Sequence, residues 1–199
     1  MSTPVIGVTG TIGTGKSTLA EFLAQEGGEH LDADVIAKDL MKPGHEGYEP
    51  VIEEFGTDIT DESGYIRPDV LAEEVFADPE KLERLEAIIH PIVVDKISRR
   101  VSKPQKSFYI IDAPLLFEAG LESLCDWVVV VTAPEAKVKE RLFKVGFSER
   151  QIELRRRSQM SEEEKKERAD EVIDNSASIE RLRQKAQKLY RRIEKRDFT

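Results

Sequence analysis

The sequence has a single cysteine, Cys125, among 199 residues, which excludes a disulfide framework and a zinc site built on cysteines. It precedes a hydrophobic strand pattern, so we expect a small buried group rather than a nucleophile. No apolar run approaches the roughly 18 residues of a membrane-spanning helix, and we expect no signal peptide because a strand pattern begins at once. The net charge of −9 argues against nucleic-acid binding as the main activity. These absences favour a cytoplasmic enzyme or switch.

What the chain does have is a glycine-rich stretch, Gly10–Ser17, that fills the pattern G-x-x-x-x-G-K-[ST]. The β-branched run Pro4–Thr9 before it predicts a buried strand, and Ser17–Gln25 after it predicts an amphipathic helix. A phosphate-binding loop needs this context, because glycines let backbone N–H groups point inward and the helix start adds unpaired donors. Lys16 would then reach the β- and γ-phosphates, and the Ser17 hydroxyl would ligate Mg²⁺. The alternative is a glycine-rich turn that only caps a helix.

Aspartates end two further predicted strands. His30–Asp34 is predicted as a short strand, which puts Asp34 at the edge of an open α/β sheet where ligands bind. Asp34 can equally be the N-cap of the helix that follows, for which aspartate is a favoured residue. Ser107–Asp112 is another apolar strand, and Asp112 stands where a Walker-B-type aspartate would hold the Mg²⁺ shell through water. Asp112 could instead cap the following turn. Trp127–Thr132 has the strongest strand pattern of the chain.

Between the second and third strands, at about residues 43–104, no stretch has the pattern of a buried central strand. We predict a helical insertion there, with a small hairpin in the polar turn Asp58–Arg67. Its long helix, Glu80–Arg100, carries an apolar stripe and is predicted to kink or divide at His90, because Pro91 follows. Taken alone, a histidine before a proline is more often structural than functional.

Two capping boxes, Ser148–Gln151 and Ser161–Glu164, predict two short helices on either side of Met160. The first of these helices ends in three consecutive arginines, Arg155–Arg157. Successive helical residues spread around the axis, so at most one or two of the three can face one ligand. A run of charged residues usually forms the solvent-exposed face of a helix. In a phosphotransferase, however, a helical lid that carries arginines can exclude water and stabilise the charge of the transition state.

The rest of the chain completes an α/β pattern. A helix begins at Pro134, Glu171–Asp174 is predicted as the last short strand, and Ile179–Lys195 is predicted as the final helix. We therefore predict an α/β fold, a three-layer P-loop NTPase core with a parallel sheet, to which a helical substrate-binding insertion and a helical lid are added.

Several ordered stretches resemble the dephospho-CoA kinase family, the P-loop kinases of coenzyme A biosynthesis. These stretches are Gly7–Thr18, Asp32–Asp34 with Ile36–Ala37, Phe55–Gly56, Val75–Phe76, Ile89–Pro91, Asp112–Glu118, Arg155 with Gln159, and Ala169–Asn175. Many NTPases share the phosphate loop, so the specificity of the resemblance comes from the other motifs and their order along nearly the whole chain.

The resemblance implies three parts: a nucleotide-binding core (1–43, 105–145 and 169–199), a CoA-binding insertion (44–104) and a lid (146–168). It also implies that ATP, with Mg²⁺, phosphorylates the ribose 3′-hydroxyl of dephospho-CoA, the last step of coenzyme A synthesis. We expect dephospho-CoA and ATP as partners, no nucleic acid or membrane, and a monomer or weak oligomer.

The resemblance also assigns roles to individual residues. Asp34 matches the family carboxylate near the acceptor hydroxyl, so it is the predicted general base, and the segment at Asn175 is predicted to lie near the ATP base. The predicted catalytic residues are Asp34, Lys16, Arg141 and Arg155. The predicted substrate-binding residues are Asp34, Lys38 and His90. The predicted ATP-binding residues are Thr11, Ile12, Gly13, Thr14, Gly15, Lys16, Ser17, Thr18 and Asn175. The predicted metal-binding residues are Ser17 and, in the outer shell, Asp112.

The chain departs from the family pattern at two places. Lys38 stands where the family usually has arginine, which keeps the charge but loses the bidentate fork, so a phosphate contact there would be weaker. Lys144–Val145 stands where the lid approach often has Arg-Asp. Whether these positions keep the function that they have in the family is therefore open. It is also open which of the arginines 155, 156 and 157 contacts ATP.

Three other functions compete with this one. A different small-molecule P-loop kinase would use the same core and lid. A GTPase switch is disfavoured, because Asp61–Gly64 fits D-x-x-G but follows no buried strand, and the guanine-reading N-K-x-D pattern is absent. A nucleic-acid motor is disfavoured by the acidic balance and the short chain.

Overall fold

A computed structural model describes residues 3–103 and 105–196 of the chain. The chain divides into two compact units: one contains the residues up to Asp32 and those from Arg100 onward, and the other is Ala33–Arg99. The predicted end of the helical insertion, Pro104, lies outside the described residues. No helix of the described ranges combines the length and apolar character that crossing a membrane requires.

The first unit is built on a parallel sheet. Its strands, within the described ranges, are β1 (Val5–Thr9), β2 (Glu29–Asp32), β3 (Tyr109–Asp112), β4 (Trp127–Thr132) and β5 (Glu171–Asp174). They lie in the order β2-β3-β1-β4-β5, with β1 in the centre between β3 and β4. Because all pairs are parallel, the carboxyl ends of the strands meet at one edge of the sheet. The predicted α/β fold with a parallel sheet and flanking helices is confirmed.

Helices connect these strands and fill the insertion, and one of them, Pro68–Ala77, has no counterpart among the predicted helices. Within the described residues they are α1 (Lys16–Gln25), α2 (Ala33–Leu40), α3 (Tyr48–Phe55), α4 (Pro68–Ala77), α5 (Pro79–Val101), α6 (Glu135–Lys144), α7 (Glu149–Arg157), α8 (Glu162–Arg168) and α9 (Ile179–Lys195). Both predicted capping boxes form: the hydroxyls of Ser148 and Ser161 accept from the backbone N–H of Gln151 and Glu164, respectively. The segment around Met160 therefore joins two short, separately capped helices.

The core of the first unit packs α1 and α9 against the sheet. Alternate residues of β1 and β4 supply one side of it, as the period of a strand requires, and both helices supply an apolar face. Its fully buried members include Ile6, Val8, Leu19, Leu23, Val129 and Val131, with Leu182, Ala186 and Leu189 of α9 beside them. This packing fixes the start of α1, and so the loop before it, against the centre of the sheet.

The predicted end of β2 is wrong by two residues. β2 ends at Asp32, which pairs with Asp112, and Asp112 is the last residue of β3. Beyond that point β2 has no partner strand, so the chain turns directly into α2. Asp34 is therefore neither the strand end nor an N-cap: it is an exposed residue in the first turn of α2.

The second unit contains α2 to α4 and most of α5, and within the described residues no strand of the sheet belongs to it. The predicted small hairpin forms: Thr60 and Ile66 make an antiparallel bridge, and the backbone N–H groups of Asp61 and Arg67 donate to the carbonyls of Tyr65 and Ile59. α5 runs through Pro91 without a break, so the predicted division at His90 is wrong, while the alternative of a kink there stays a prediction. Proline removes the donor for the carbonyl of Ala87, which is an exposed residue of the helix.

Candidate active site

The glycine-rich stretch 10–17 forms the connection between β1 and α1. Gly15, just before α1, has a φ of +98°, and a Cβ there would lie 2.3 Å from Nδ2 of Asn175. Gly10 has a φ of +149°, and a Cβ there would lie 2.4 Å from the carbonyl oxygen of Val131. Both positions therefore require glycine. The result is a tight loop that ends at the N-terminus of a helix, where backbone N–H groups and the helix dipole favour an anion.

Lys16, the first residue of α1, faces a buried carboxylate. Its Nζ lies 3.3 Å from Oδ1 of Asp112 and also donates to the Ser17 hydroxyl at 3.3 Å. Asp112 is only 1% exposed. Burial alone would raise the pKa of Asp112, but a hydrogen bond with His30 and the charge of Lys16 outweigh it, so the pKa lies below its ordinary value. Asp112 is thus held as a carboxylate beside the phosphate loop.

His30 completes this group from the neighbouring strand. Its Nε2 lies 3.1 Å from Oδ2 of Asp112. The hydrogen bond to Asp112 raises the pKa of His30 above its ordinary value, against the opposing effect of partial burial. This contact is not among the sequence predictions, because the strand pattern around His30 does not say which residue of a neighbouring strand faces it. The available signal was the strand period, which puts His30 and Asp32 on one face, next to the end of β3.

The donors at this edge suit Mg²⁺, the ion that the loop motif implies. Oδ1 of Asp112 is buried and accepts no hydrogen bond within the described residues, although the Lys16 ammonium lies nearby. The Ser17 hydroxyl, one residue after Lys16, is a second oxygen donor. Ligand atoms of His30, Asp32 and Asp112 all lie within 4.8 Å of one another. Mg²⁺ prefers oxygen over imidazole ligands, so of these groups the hydroxyl and the carboxylates fit it.

On the other side of the loop, Arg141 and Asn175 hold the loop's carbonyl groups. Nη1 of Arg141 donates to the carbonyls of Gly13 (3.3 Å) and Thr14 (3.2 Å), and its Nη2 donates to the Asn175 carbonyl at 3.1 Å. The buried Nδ2 of Asn175 donates to the Thr14 carbonyl at 2.7 Å. A cavity of about 210 Å³ opens here, lined by Gly15, Thr18, Arg141, Asn175, Ile179 and Leu182. It offers an apolar wall from α9 next to the loop, a setting that suits a nucleotide base.

Comparison with known proteins identifies the family. The family model described as "Dephospho-CoA kinase" matches residues 4–181. A dephospho-CoA kinase of Carboxydothermus hydrogenoformans is 43% identical over 185 residues, which cover 91% of this chain and 90% of that protein. The chain belongs to the dephospho-CoA kinase family. It is therefore a phosphotransferase of the kinase class, and the predicted resemblance is confirmed.

Solved structures agree with this assignment. The structure of TT1252 from Thermus thermophilus has a TM-score of 0.79 at 33% identity and covers 95% of this chain and 97% of that one. A dephospho-CoA kinase from Campylobacter jejuni has a TM-score of 0.70 at 30% identity, with 98% of both chains covered. The P-loop kinase fold of this family member therefore extends over essentially the whole chain.

The three consecutive arginines 155–157 of this dephospho-CoA kinase family member have different surroundings. The Arg155 guanidinium lies over the ring of Phe147, 4.9 Å from its centroid. Arg156 pairs with Glu135 at 3.1 Å, and Arg157 pairs with Glu153 at 2.5 Å. Arg156 and Arg157 thus have carboxylate partners on the protein surface, while Arg155 packs on an aromatic ring. The choice of Arg155 as the arginine that faces a ligand stays a prediction.

A further contact to the phosphate loop comes from the junction between α7 and α8. The Gln159 side-chain Oε1 accepts a hydrogen bond from the backbone N–H of Ile12 at 3.2 Å. The sequence comparison included Gln159 only as part of the resemblance and gave it no role. The contact joins residues 147 positions apart, so no local pattern could have indicated it.

The predicted acceptor-side residues all belong to the second unit. Asp34 and Lys38 lie four residues apart on α2, so both exposed side chains share one face of that helix. His90 is half-buried and lies in α5 immediately before Pro91. Their roles toward dephospho-CoA stay predictions.

Proposed function

We propose that this chain transfers the γ-phosphoryl group of ATP to the ribose 3′-hydroxyl of dephospho-CoA, which releases coenzyme A and ADP. Phosphoryl transfer is supported above all by the phosphate loop, whose glycines constrain its backbone and whose Lys16 lies against the buried carboxylate of Asp112. The choice of acceptor is inferred from the relatives, which are themselves dephospho-CoA kinases.

The donor side of the reaction is assigned to the loop and its neighbours. Backbone N–H groups of residues 13–18, together with Lys16, bind the phosphates of ATP. Arg141 and Asn175 hold the loop carbonyls in place, and the cavity beside them takes the base. Ser17 and Asp112 are the residues that would hold Mg²⁺. When bound, the ion neutralises charge that develops on the phosphoryl oxygens.

The acceptor side is assigned to the second unit. Asp34 orients the 3′-hydroxyl and takes up its proton, because a carboxylate is the general base that a kinase needs at the attacking oxygen. Lys38 and His90 contribute to binding dephospho-CoA. Lys38 supplies a single positive charge, because lysine lacks the bidentate guanidinium of arginine. Arg141 and Arg155 neutralise negative charge as the phosphoryl group moves.

The test is ADP release with and without dephospho-CoA, in the presence of Mg²⁺, with the product's phosphate mapped to the ribose position. We expect rapid acceptor-dependent ADP release and a 3′-phosphate. The main competitor is a kinase for nucleosides or nucleoside monophosphates, so both are offered as acceptors in the same assay. Faster phosphorylation of a nucleoside monophosphate than of dephospho-CoA would overturn the proposal. GTP is compared with ATP, because a preference for GTP without acceptor dependence would indicate a switch.

A further inference from the structure

Lys165 is a buried lysine that the proposed chemistry does not use. It lies in α8, and its side chain is 0% exposed. Its Nζ donates to the Pro114 carbonyl at 2.6 Å and to both carboxylate oxygens of Glu118, at 2.9 and 3.1 Å. An ammonium group has three hydrogens, and these three contacts use all of them. Burial lowers the pKa of Lys165, while Glu118 acts in the opposite direction.

Glu118 makes a second contact that reaches beyond α8. Its Oε1 also accepts the backbone N–H of Met160 at 2.6 Å. Met160 lies in the junction between α7 and α8, so Glu118 holds both that junction and the helix after it. Glu118 itself belongs to the segment that follows Asp112 at the end of β3. One carboxylate therefore joins residues 159–165 to the chain that leaves the phosphate site.

The residue before Met160 is Gln159, whose Oε1 accepts the Ile12 N–H of the phosphate loop at 3.2 Å. The junction is thus held on one side by Glu118 and touches the loop on the other. Replacing a buried ion pair by apolar residues of the same size is often neutral for stability, so net stability does not explain this pair. What its hydrogen bonds do hold is the junction, in which Met160 contacts Glu118 and Gln159 contacts the loop.

We propose that Lys165 and Glu118 are positioning residues for phosphoryl transfer. They hold the junction of the lid segment (146–168) so that Gln159 stays on the Ile12 N–H, which keeps the loop ready for ATP and limits access of water to the phosphates. The inference rests on the proposed kinase function. It makes Lys165 and Glu118 act through Gln159, since neither belongs to the phosphate loop.

The test compares Lys165→Met, Gln159→Met and the double variant with wild type. The first removes the ammonium, and the second removes the acceptor for Ile12 at nearly constant side-chain size. Lys166→Met is the matched control, because Lys166 is the next residue of α8 and pairs with Glu162 at the surface. Each protein is assayed for kcat, KM for ATP, and the ratio of ADP released to coenzyme A formed. The affinity for ATP without acceptor is measured by calorimetry.

For each single variant we expect KM for ATP to rise about tenfold, the effect of one lost hydrogen bond, and the ADP to coenzyme A ratio to exceed one. The double variant is expected to match Lys165→Met within about twofold, because both substitutions remove the same contact. Lys166→Met is expected to behave like wild type. A role in folding alone would lower kcat through the active fraction, with KM and the product ratio unchanged.

The inference is overturned if KM and the product ratio of Lys165→Met equal those of Lys166→Met, or if the effects of the two single variants multiply fully in the double variant. Should Lys165→Met fail to fold, Lys165→Met combined with Glu118→Gln avoids an unpaired buried charge and keeps an acceptor for Met160. The comparison with Gln159→Met is then made from that protein, with the same criteria. If wild type does not phosphorylate dephospho-CoA, the proposed function fails, while the calorimetric affinity for ATP still tests the positioning role.

Discussion

The ammonium of Lys16 lies 3.3 Å from the carboxylate of Asp112, which joins the first residue of α1 to the last residue of β3. The two residues are 96 positions apart in the chain, and the pairing of β1 with β3 brings them together. Both charges lie where the phosphates and Mg²⁺ of a nucleotide would compete for them. The pair therefore places one positive and one negative charge side by side at the site before any ligand binds.

Asp112→Asn removes one charge while it keeps the shape of the side chain. We expect activity to fall by about 10- to 100-fold, the usual effect of losing a residue that supports a metal, and the Mg²⁺ concentration for half-maximal rate to rise. Rates measured over a Mg²⁺ titration check this. Asp95→Asn serves as the control, since Asp95 pairs with Arg99 on the surface of α5. An unchanged Mg²⁺ requirement in Asp112→Asn would contradict the metal assignment.

His30→Gln tests the hydrogen bond to Asp112 through its pH dependence. Because the folded-state pKa of His30 is raised, protonated His30 stabilises the fold fully below its unfolded pKa of about 6.5, and this contribution is lost as pH rises through the folded pKa. We compare the free energy of unfolding of wild type with that of His30→Gln. The advantage of wild type should be larger at low pH than at high pH, by on the order of 1 kcal/mol. Urea unfolding at about pH 5.5 and about pH 9 measures this.

The pH effect should depend on Asp112, which remains ionised over this range because its pKa is lowered. In an Asp112→Asn background, the excess stabilisation by His30 at low pH should therefore shrink strongly, because the largest cause of its raised pKa is lost and only the charges of Asp32 and Glu21 still favour the protonated form. A pH-dependent difference that survives undiminished in that background would assign the effect to another partner.

Gly15→Ala tests the close approach of the loop to Asn175. An alanine Cβ would lie 2.3 Å from Nδ2 of Asn175 and displace the group that donates to Thr14. We expect kcat/KM for ATP to fall by about a hundredfold, since misplaced catalytic groups have effects of this size. Gly120→Ala is a matched control, because Gly120 also has a positive φ, of +72°, but no atom lies within 4 Å of its added Cβ.

Both glycine variants should lose about 1 kcal/mol or more of stability from backbone strain, measured by thermal unfolding. Only Gly15→Ala should also lose ATP binding. If Gly120→Ala reduced kcat/KM as much, strain rather than the contact with Asn175 would explain the effect.

Asp34→Asn tests the proposed general base. Loss of a general base typically costs about 10²- to 10⁴-fold in rate, so kcat should fall by that amount while the affinity for ATP stays nearly constant. Steady-state rates with dephospho-CoA and calorimetry with ATP separate the two effects. Asp39→Asn is the control on the same helix, because Asp39 is already paired with Lys42 and His45. Wild-type turnover by Asp34→Asn would exclude it as the base.

Elements with a strong local pattern could be predicted from the sequence, and β4, β5 and α9 were predicted with the observed bounds. The predicted bounds were wrong where the end or continuation of an element does not follow from its own local pattern. β2 stops at Asp32 because its partner β3 stops at Asp112, and α5 continues through Pro91 although the proline removes one backbone hydrogen bond. Neither fact is visible within a short window of sequence.

For the site, the sequence by itself determined the phosphate loop, because Gly10–Ser17 encodes its conformation locally through glycines between a strand and a helix. The family motifs likewise determined the class of enzyme. Only the tertiary structure decided that His30 meets Asp112, that Gln159 meets Ile12, and that Lys165 is buried. Each of these contacts joins residues that are far apart in the sequence. They form because the order of the strands and the packing of the helices bring these residues together, which no local pattern encodes.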